Sequence, residues 1–237
     1  MVTLNSVTKK YGPLIAVDNV SYTIAKGEYF ALLGPNGAGK TTTVKMLLDF
    51  VRPTSGAIAI HGVPSVCPIA RAGIGYCAEN HRIPRHLTGL QYLRRVGALA
   101  GLPKKDAKHK ADAMIERIGM AGKENLEART YSKGMVQRIA LGSALIADPT
   151  LLVLDEPVSG LDPIGIREVR QILEGLRESG VTIILNSHFL SEVEKTCDTA
   201  AIMNNGRILV KDKLSAIVGG GESLEDVFVR LVKDGHA

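Results

Sequence analysis

The sequence contains no tryptophan, and tyrosine and phenylalanine together make up only 4% of its 237 residues. So few rings leave little from which to build the stacked platforms that hold single-stranded nucleic acid. Long hydrophobic runs are also missing. Although 45% of the chain is hydrophobic, no stretch approaches the roughly 18 apolar residues needed to span a bilayer. The opening residues, Met1-Val2-Thr3-Leu4-Asn5-Ser6, lack the charged start and apolar stretch of a signal peptide, so none is expected. Cysteine is scarce too: Cys67, Cys77 and Cys197 are odd in number and have no metal-ligand spacing. That argues against a disulfide framework and fits a reducing compartment, with the thiols as small buried or half-buried side chains.

What remains is the composition of an ordinary globular protein, long enough for one domain with a subdomain or for two small domains. Its net charge of +5 is unevenly placed. Between Arg82 and Lys110 stand eight basic residues (Arg82, Arg85, Arg94, Arg95, Lys104, Lys105, Lys108 and Lys110) against Asp106 alone. This run reads as a solvated helical surface or as a face held near anionic headgroups or an acidic partner loop. No aromatic residues interleave with the charges as they would in a nucleic-acid interface, and no nucleic-acid partner is expected.

The most informative stretch is Gly34-Pro35-Asn36-Gly37-Ala38-Gly39-Lys40-Thr41, followed by Thr42. An apolar run, Tyr29 to Leu33, leads in, and a run compatible with a helix, Thr42 to Val51, leads out. Strand, glycine loop and helix in that order form the phosphate-binding loop, with spacing G-x-x-x-x-G-K-T. Its glycines let successive backbone N–H groups turn around an anion, and the helix offers its positive end to the same anion. Lys40 can reach β- and γ-phosphates, and the Thr41 hydroxyl can ligate Mg²⁺.

Along the chain, Val2 to Val7 and Val17 to Ile24 read as strands separated by a turn at Lys9-Lys10-Tyr11-Gly12-Pro13. In the second strand Val20, Tyr22 and Ile24 alternate with polar residues, the period of a half-buried strand. Short strands are expected at 57–61 and 74–77. Strand signals then vanish from Leu87 to Ile118, and helical spacing takes over, interrupted at Gly101-Leu102-Pro103. The helical segment continues through the helix that Ser132 opens. From Leu151 onward strands and helices alternate, the mark of an α/β fold. Asn204-Asn205-Gly206 marks a hairpin, Gly219-Gly220-Gly221 a flexible joint, and Ser223 the cap of a last short helix. The fold class expected is α/β: a P-loop NTPase core with an N-terminal antiparallel β subdomain and an inserted α-helical subdomain. The domain spans 2–218, with its core at 2–79 and 149–211 and the helical part at 80–148. A short helical tail fills 219–237.

A phosphate loop alone hydrolyses nothing. Asp155-Glu156 follows directly on the apolar run Leu151 to Leu154, and in open α/β sheets ligands gather at the carboxyl ends of strands. Asp155 is thereby placed to hold Mg²⁺, directly or through water, and Glu156 to polarise the attacking water.

Over nearly its whole length the chain resembles the ATP-binding subunit of an ATP-binding-cassette transporter. Tyr131-Ser132-Lys133-Gly134-Met135 stands where that family has its signature sequence, and Ser159-Gly160-Leu161-Asp162 resembles its D-loop. His188, in Asn186-Ser187-His188, resembles the switch histidine that contacts the γ-phosphate and the attacking water. Tyr11 resembles the aromatic that stacks on adenine. The resemblance implies ATP and Mg²⁺ as cofactors and a head-to-tail pair of such domains, homodimeric or with a close relative. Each ATP is then held between one chain's phosphate loop and the signature residues Ser132, Lys133 and Gly134 of the other. It also implies an integral membrane permease subunit as partner and a peripheral place on the cytoplasmic face of the cell membrane. Lys133 and Met135 depart from the family's glycine and glutamine. Glu79 occupies the Q-loop position, where the family has glutamine; Asn80 fills that role on a one-residue shift. The closing Ser223-Leu224-Glu225-Asp226-Val227-Phe228 resembles subunits serving drug, polysaccharide and lipid exporters. Alternative expectations are an ATPase of the same family in assembly or repair without a membrane partner, and an ATP-dependent clamp with little turnover.

Overall fold

The structure, a computed structural model, describes residues 1–234; the last three residues of the expected tail lie outside the described residues. In chain order the elements begin with β1 (Val2–Tyr11), β2 (Leu14–Ile24), β3 (Tyr29–Leu33), α1 (Lys40–Leu47), β4 (Ser55–Ile60), β5 (Val63–Pro64) and β6 (Ile74–Cys77). Helices α2 (Gly89–Leu99), α3 (Lys104–Arg117) and α4 (Lys133–Leu145) follow, then β7 (Leu151–Asp155) and α5 (Pro163–Arg177). The chain closes with β8 (Thr182–Asn186), α6 (Leu190–Thr196), β9 (Thr199–Asn204), β10 (Arg207–Lys213), α7 (Leu214–Ile217) and α8 (Leu224–Asp234). They form two compact units, residues 73–181 and the chain on either side of that segment.

In the first unit, β2, β1, β4 and β5 make an antiparallel sheet in that order. Strand β1 runs on through Lys9, Lys10 and Tyr11, residues whose sequence reads as part of a turn. Tyr11 pairs with Leu14, so the reversal needs only Gly12 and Pro13, with Gly12 at φ +57°. The second sheet runs β10, β9, β3, β8 within this unit. Strand β3 is parallel to both β9 and β8, and β10 is antiparallel to β9 through the turn at Asn205 and Gly206. All five residues of β3 are buried, as a central parallel strand requires. Tyr22 of β2 stacks on Phe30 of β3 with ring centroids 5.2 Å apart, joining the two sheets. Helix α1 starts at Lys40 and ends at Leu47, four residues short of the expected run, because Asp49 turns left-handed at φ +58°. At the end of the chain the glycines 219–221 form a short 3₁₀ turn where the sequence suggests a flexible joint. Ser223 Oγ accepts from Asp226 N–H at 3.2 Å, and the Leu224 N–H donates to the Glu194 carboxylate of α6 at 2.6 Å.

In the second unit β6 and β7 pair in parallel, and α4 packs on β6. Gly75 makes that approach possible: a Cβ there would lie 3.0 Å from both the Ala144 carbonyl carbon and a Pro149 ring carbon. Helices α2 and α3 form an antiparallel pair that also packs on α4. Thr88 and Gln91 close a capping box at the start of α2, satisfying two otherwise orphaned N–H groups. The Tyr131 hydroxyl accepts the Gly89 N–H at 2.7 Å, fixing the residue before Ser132 to the same helix end.

Candidate functional site

The first unit carries the phosphate loop between β3 and α1. Gly39 adopts φ +107°, and a Cβ there would meet the Ala16 carbonyl and sit 2.8 Å from Met203 Cε. Only glycine fits a backbone turned left-handed against two neighbouring strands. The loop is tied down from several sides. Ala38 N–H donates to the Pro35 carbonyl at 3.1 Å, and Gly206 N–H donates to the Ala38 carbonyl at 3.0 Å. The Thr43 hydroxyl donates to the Gly39 carbonyl at 3.0 Å. The Lys40 ammonium arches back over the loop, donating to Gly34 at 2.6 Å and Pro35 at 3.1 Å. A buried cation is thus fixed at the rim of a nest of N–H groups, which is the electrostatic description of a polyphosphate site.

A cleft of about 530 Å³ opens from this loop, lined by Asn36 to Thr42 on one side and by Tyr11, Leu14, Ile15, Ala16 and Asn205 on the other. Of the sequence-derived nucleotide residues, Tyr11 and 36–42 therefore share one cleft, and Gly34 and Pro35 form the back of its loop. Tyr11 is 45% exposed with the Lys9 ammonium 5.0 Å from its ring centre; Leu14 and Ile15 are exposed beside it. Apolar side chains held open next to a phosphate nest suit a flat base attached to phosphates. Sequence reading missed Leu14, Ile15 and Asn205. An apolar pair directly after a Gly-Pro reversal, at a strand start facing the glycine loop, is the signal that could have found the first two. His188 follows β8 in this unit, exposed, with its ring 4.3 Å from that of Phe189; it is not among the residues lining the cleft.

The second unit holds the remaining candidates. Asp155 ends β7 and Glu156 follows, both under 10% exposed. Glu156 sits at φ +51°, a left-handed backbone that costs a non-glycine residue about 1 kcal/mol. Strain of this kind concentrates at functional positions. Burial, and after it the Asp155 carboxylate, pushes the Cys77 thiol up to about 12, with the Gln137 amide pulling the other way. Burial, Asp155, Cys77 and Glu79 likewise push Tyr76 up to about 12. The carboxylate end of β7 thus projects its field onto the end of β6, next to Glu79, which is exposed, as is Asn80.

Ser132 caps α4, its hydroxyl accepting the Met135 N–H at 3.3 Å. Lys133 is exposed, yet its stem lies over the D-loop turn, where a Cβ on Gly160 would sit 2.8 Å from Lys133 Cδ and Cε. Gly134 faces Leu161 at 3.5 Å in the same sense. The signature and D-loop segments are therefore packed on each other within this unit. Asp162 caps α5, its carboxylate accepting the Gly165 N–H at 2.7 Å. Among the described residues no three His, Cys, Asp or Glu gather as a metal cage, and no helix is long and apolar enough to cross a membrane.

A glycine loop between a buried parallel strand and a helix, opening on a cleft with an apolar far wall, defines a P-loop protein. Comparison with known proteins narrows the class. The family model described as ABC transporter matches residues 17–159. An ABC transporter ATP-binding protein of Nostoc is 39% identical over 208 residues, covering 87% of this chain and 62% of that protein. The Nod factor export ATP-binding protein I of Sinorhizobium fredii is 35% identical over 219 residues, covering 92% of this chain and 64% of that protein. The chain therefore spans less than two thirds of either relative's length. A solved structure of an ATP binding subunit of an ABC transporter superposes with a TM-score of 0.89 at 28% identity, covering 98% of this chain and 99% of that one. The chain belongs to the ABC transporter family, among its ATP-binding proteins.

Proposed function

We propose that the chain binds and hydrolyses ATP to drive export through a separate membrane permease, from a peripheral position on the cytoplasmic face of the membrane. The observation that carries this reading is the single cleft joining the Asn36–Thr42 nest to Tyr11, Leu14 and Ile15. The triphosphate lies along the N–H groups with Lys40 as its cation, and adenine stacks on Tyr11 against the two aliphatic side chains. The Thr41 hydroxyl, exposed on the first turn of α1 and lining the cleft, and the Asp155 carboxylate are the hard oxygen donors that would hold Mg²⁺. When bound, Mg²⁺ neutralises charge on the β- and γ-phosphates. Glu156 accepts the proton of the attacking water, and His188 donates a hydrogen bond to the γ-phosphate.

The signature residues serve a second chain. Ser132, Lys133 and Gly134 stand at the first turn of α4, where free N–H groups and the helix dipole favour an anion. The γ-phosphate held by a partner subunit is the anion they would receive, so two subunits close over ATP and part once it is cleaved. Asp162, packed in the same turn, sits on that closing face. Export is favoured over import by the likeness to the Sinorhizobium fredii protein, whose name assigns it to Nod factor export. The test is ATP-driven efflux from vesicles carrying the chain with its co-purifying membrane protein. Efflux by the wild type and its loss in Glu156→Gln support the proposal; equal efflux by both would end it. Phosphate release undiminished in Lys40→Ala would end the assignment of the cleft.

A further inference from the structure

The basic run between Arg82 and Lys110 has no part in the nucleotide chemistry, and the structure sorts six of its eight basic residues, those on α2 and α3, into two groups. Arg94 of α2 is paired with Asp112 of α3 at 2.8 Å, and Lys110 of α3 with Asp148 in the turn after α4, both within the unit. Arg95, Lys104, Lys105 and Lys108 are exposed and make no ion pair among the described residues. These four surround the tip of the α2–α3 hairpin. Arg95 stands one helical turn before Leu99 on the same stripe of α2, and the three lysines follow directly across the Ala100–Pro103 connection. Only Asp106 opposes them.

The tip is closed by its own backbone hydrogen bonds. Leu102 N–H donates to the Gly97 carbonyl and Gly101 N–H to the Ala98 carbonyl, both at 3.0 Å, with Gly101 at φ +87°. This is a Schellman closure. It turns Leu102 inward, 3.4 Å from where a Cβ on Gly97 would stand, while Leu99 is left 88% exposed. The inner face of α3 is filled by Ala107, Ala111, Met114 and Ile115, so Leu99 is not needed to close the core.

We propose that this hairpin tip docks directly on the anionic surface of a lipid bilayer, with Leu99 entering the headgroup–acyl boundary and Arg95, Lys104, Lys105 and Lys108 on lipid phosphates. A convex tip ending in one aliphatic side chain offers no groove for a peptide, whereas a soft, flat, negatively charged surface accommodates it. Lysines suit such a surface because their flexible stems snorkel while the ammonium seeks phosphate. The contact is between this chain and lipid, so it holds with or without a permease, and its failure would leave the ATPase reading untouched.

The absence of tryptophan makes the test direct. Leu99→Trp, at an exposed position, places a single indole on the tip of the full chain. Its emission is expected to shift to shorter wavelength with vesicles of phosphatidylcholine mixed with phosphatidylglycerol, and to stay put with phosphatidylcholine alone. High salt should reverse the shift. Each basic side chain near an anionic surface multiplies partitioning by about 5. Lys104→Glu, Lys105→Glu and Lys108→Glu together should therefore lower partitioning at least 100-fold, by that estimate, with ATP hydrolysis in solution unchanged. An equal shift on neutral vesicles, no shift on either, or full binding by the charge-reversed chain overturns the proposal. So does a shift produced by polyglutamate but not by anionic vesicles, which would make the face a protein-binding one.

Discussion

The Gln137 amide donates to the Cys77 thiol across 3.6 Å, joining the interior of α4 to the last residue of β6 two positions before Glu79. Cys77 is fully buried and its thiol is raised from 9.0 to about 12. The unfolded chain releases the Cys77 proton near pH 9 while the folded chain keeps it until about pH 12, so the unfolded state binds fewer protons throughout that window. Stability should therefore fall as pH rises from about 9 to 12, by up to about 1.4 kcal/mol per pH unit from this thiol. Denaturant midpoints measured across that range should drop for the wild type and drop less steeply for Cys77→Ala. At pH 8 a thiol reagent should modify half-buried Cys67 and leave Cys77 intact.

Glu156 combines burial with φ +51°. Asparagine visits the left-handed region far more readily than glutamate. Glu156→Asn should therefore unfold no lower than the wild type, whereas a buried charged position ordinarily loses stability on replacement. Phosphate release should fall at least ~100-fold, the scale on which a general base contributes. Calorimetry and a phosphate assay on the same preparation check both halves.

The Lys133 stem covers Gly160, so the two positions should be energetically coupled. Gly160→Ala should cost stability both through its φ of +71° and by displacing that stem. In a Lys133→Ala background the second part disappears. A double-mutant cycle should return a coupling of about 0.5–1 kcal/mol; strict additivity would mean that the lysine does not rest on the turn.

Tyr11 forms the apolar wall of the cleft with Leu14 and Ile15. Base stacking of this kind is worth about 1–3 kcal/mol. Tyr11→Ala should weaken ATP binding by roughly 5- to 160-fold on that scale, while Tyr11→Phe, which keeps the ring, should bind nearly as the wild type does. Titration with a fluorescent ATP analogue reads the difference.

Much of this was legible before any coordinates, because the decisive residues obey local rules. The glycine spacing from Gly34 to Lys40 dictates its own backbone, and Ser132 and Asp162 cap the helices that follow them. The hairpin at Asn205-Gly206 needs only those two positive-φ residues. What stayed hidden depends on contacts between segments distant in sequence. Lys9 to Tyr11 read as a turn, yet pairing with the strand from Leu14 extends β1 to the last residue before Gly12. Lys133 carries no local sign that its stem would lie over a glycine 27 residues on. Leu14 and Ile15 resemble core residues by hydropathy alone; their place directly after the Gly12-Pro13 reversal is the sign in the sequence that sets them apart, and the fold then leaves them open to a cleft.

On the proposed mechanism ATP is clasped between two subunits and released from that clasp by hydrolysis. The molar mass of Glu156→Gln in solution, measured by sedimentation with ATP and Mg²⁺ and again with ADP and Mg²⁺, tests it most directly. A dimer with ATP that reverts to monomer with ADP, and that Ser132→Arg prevents from forming, is the predicted result. A monomer under every condition, from a wild-type chain that still releases phosphate steadily, would contradict it.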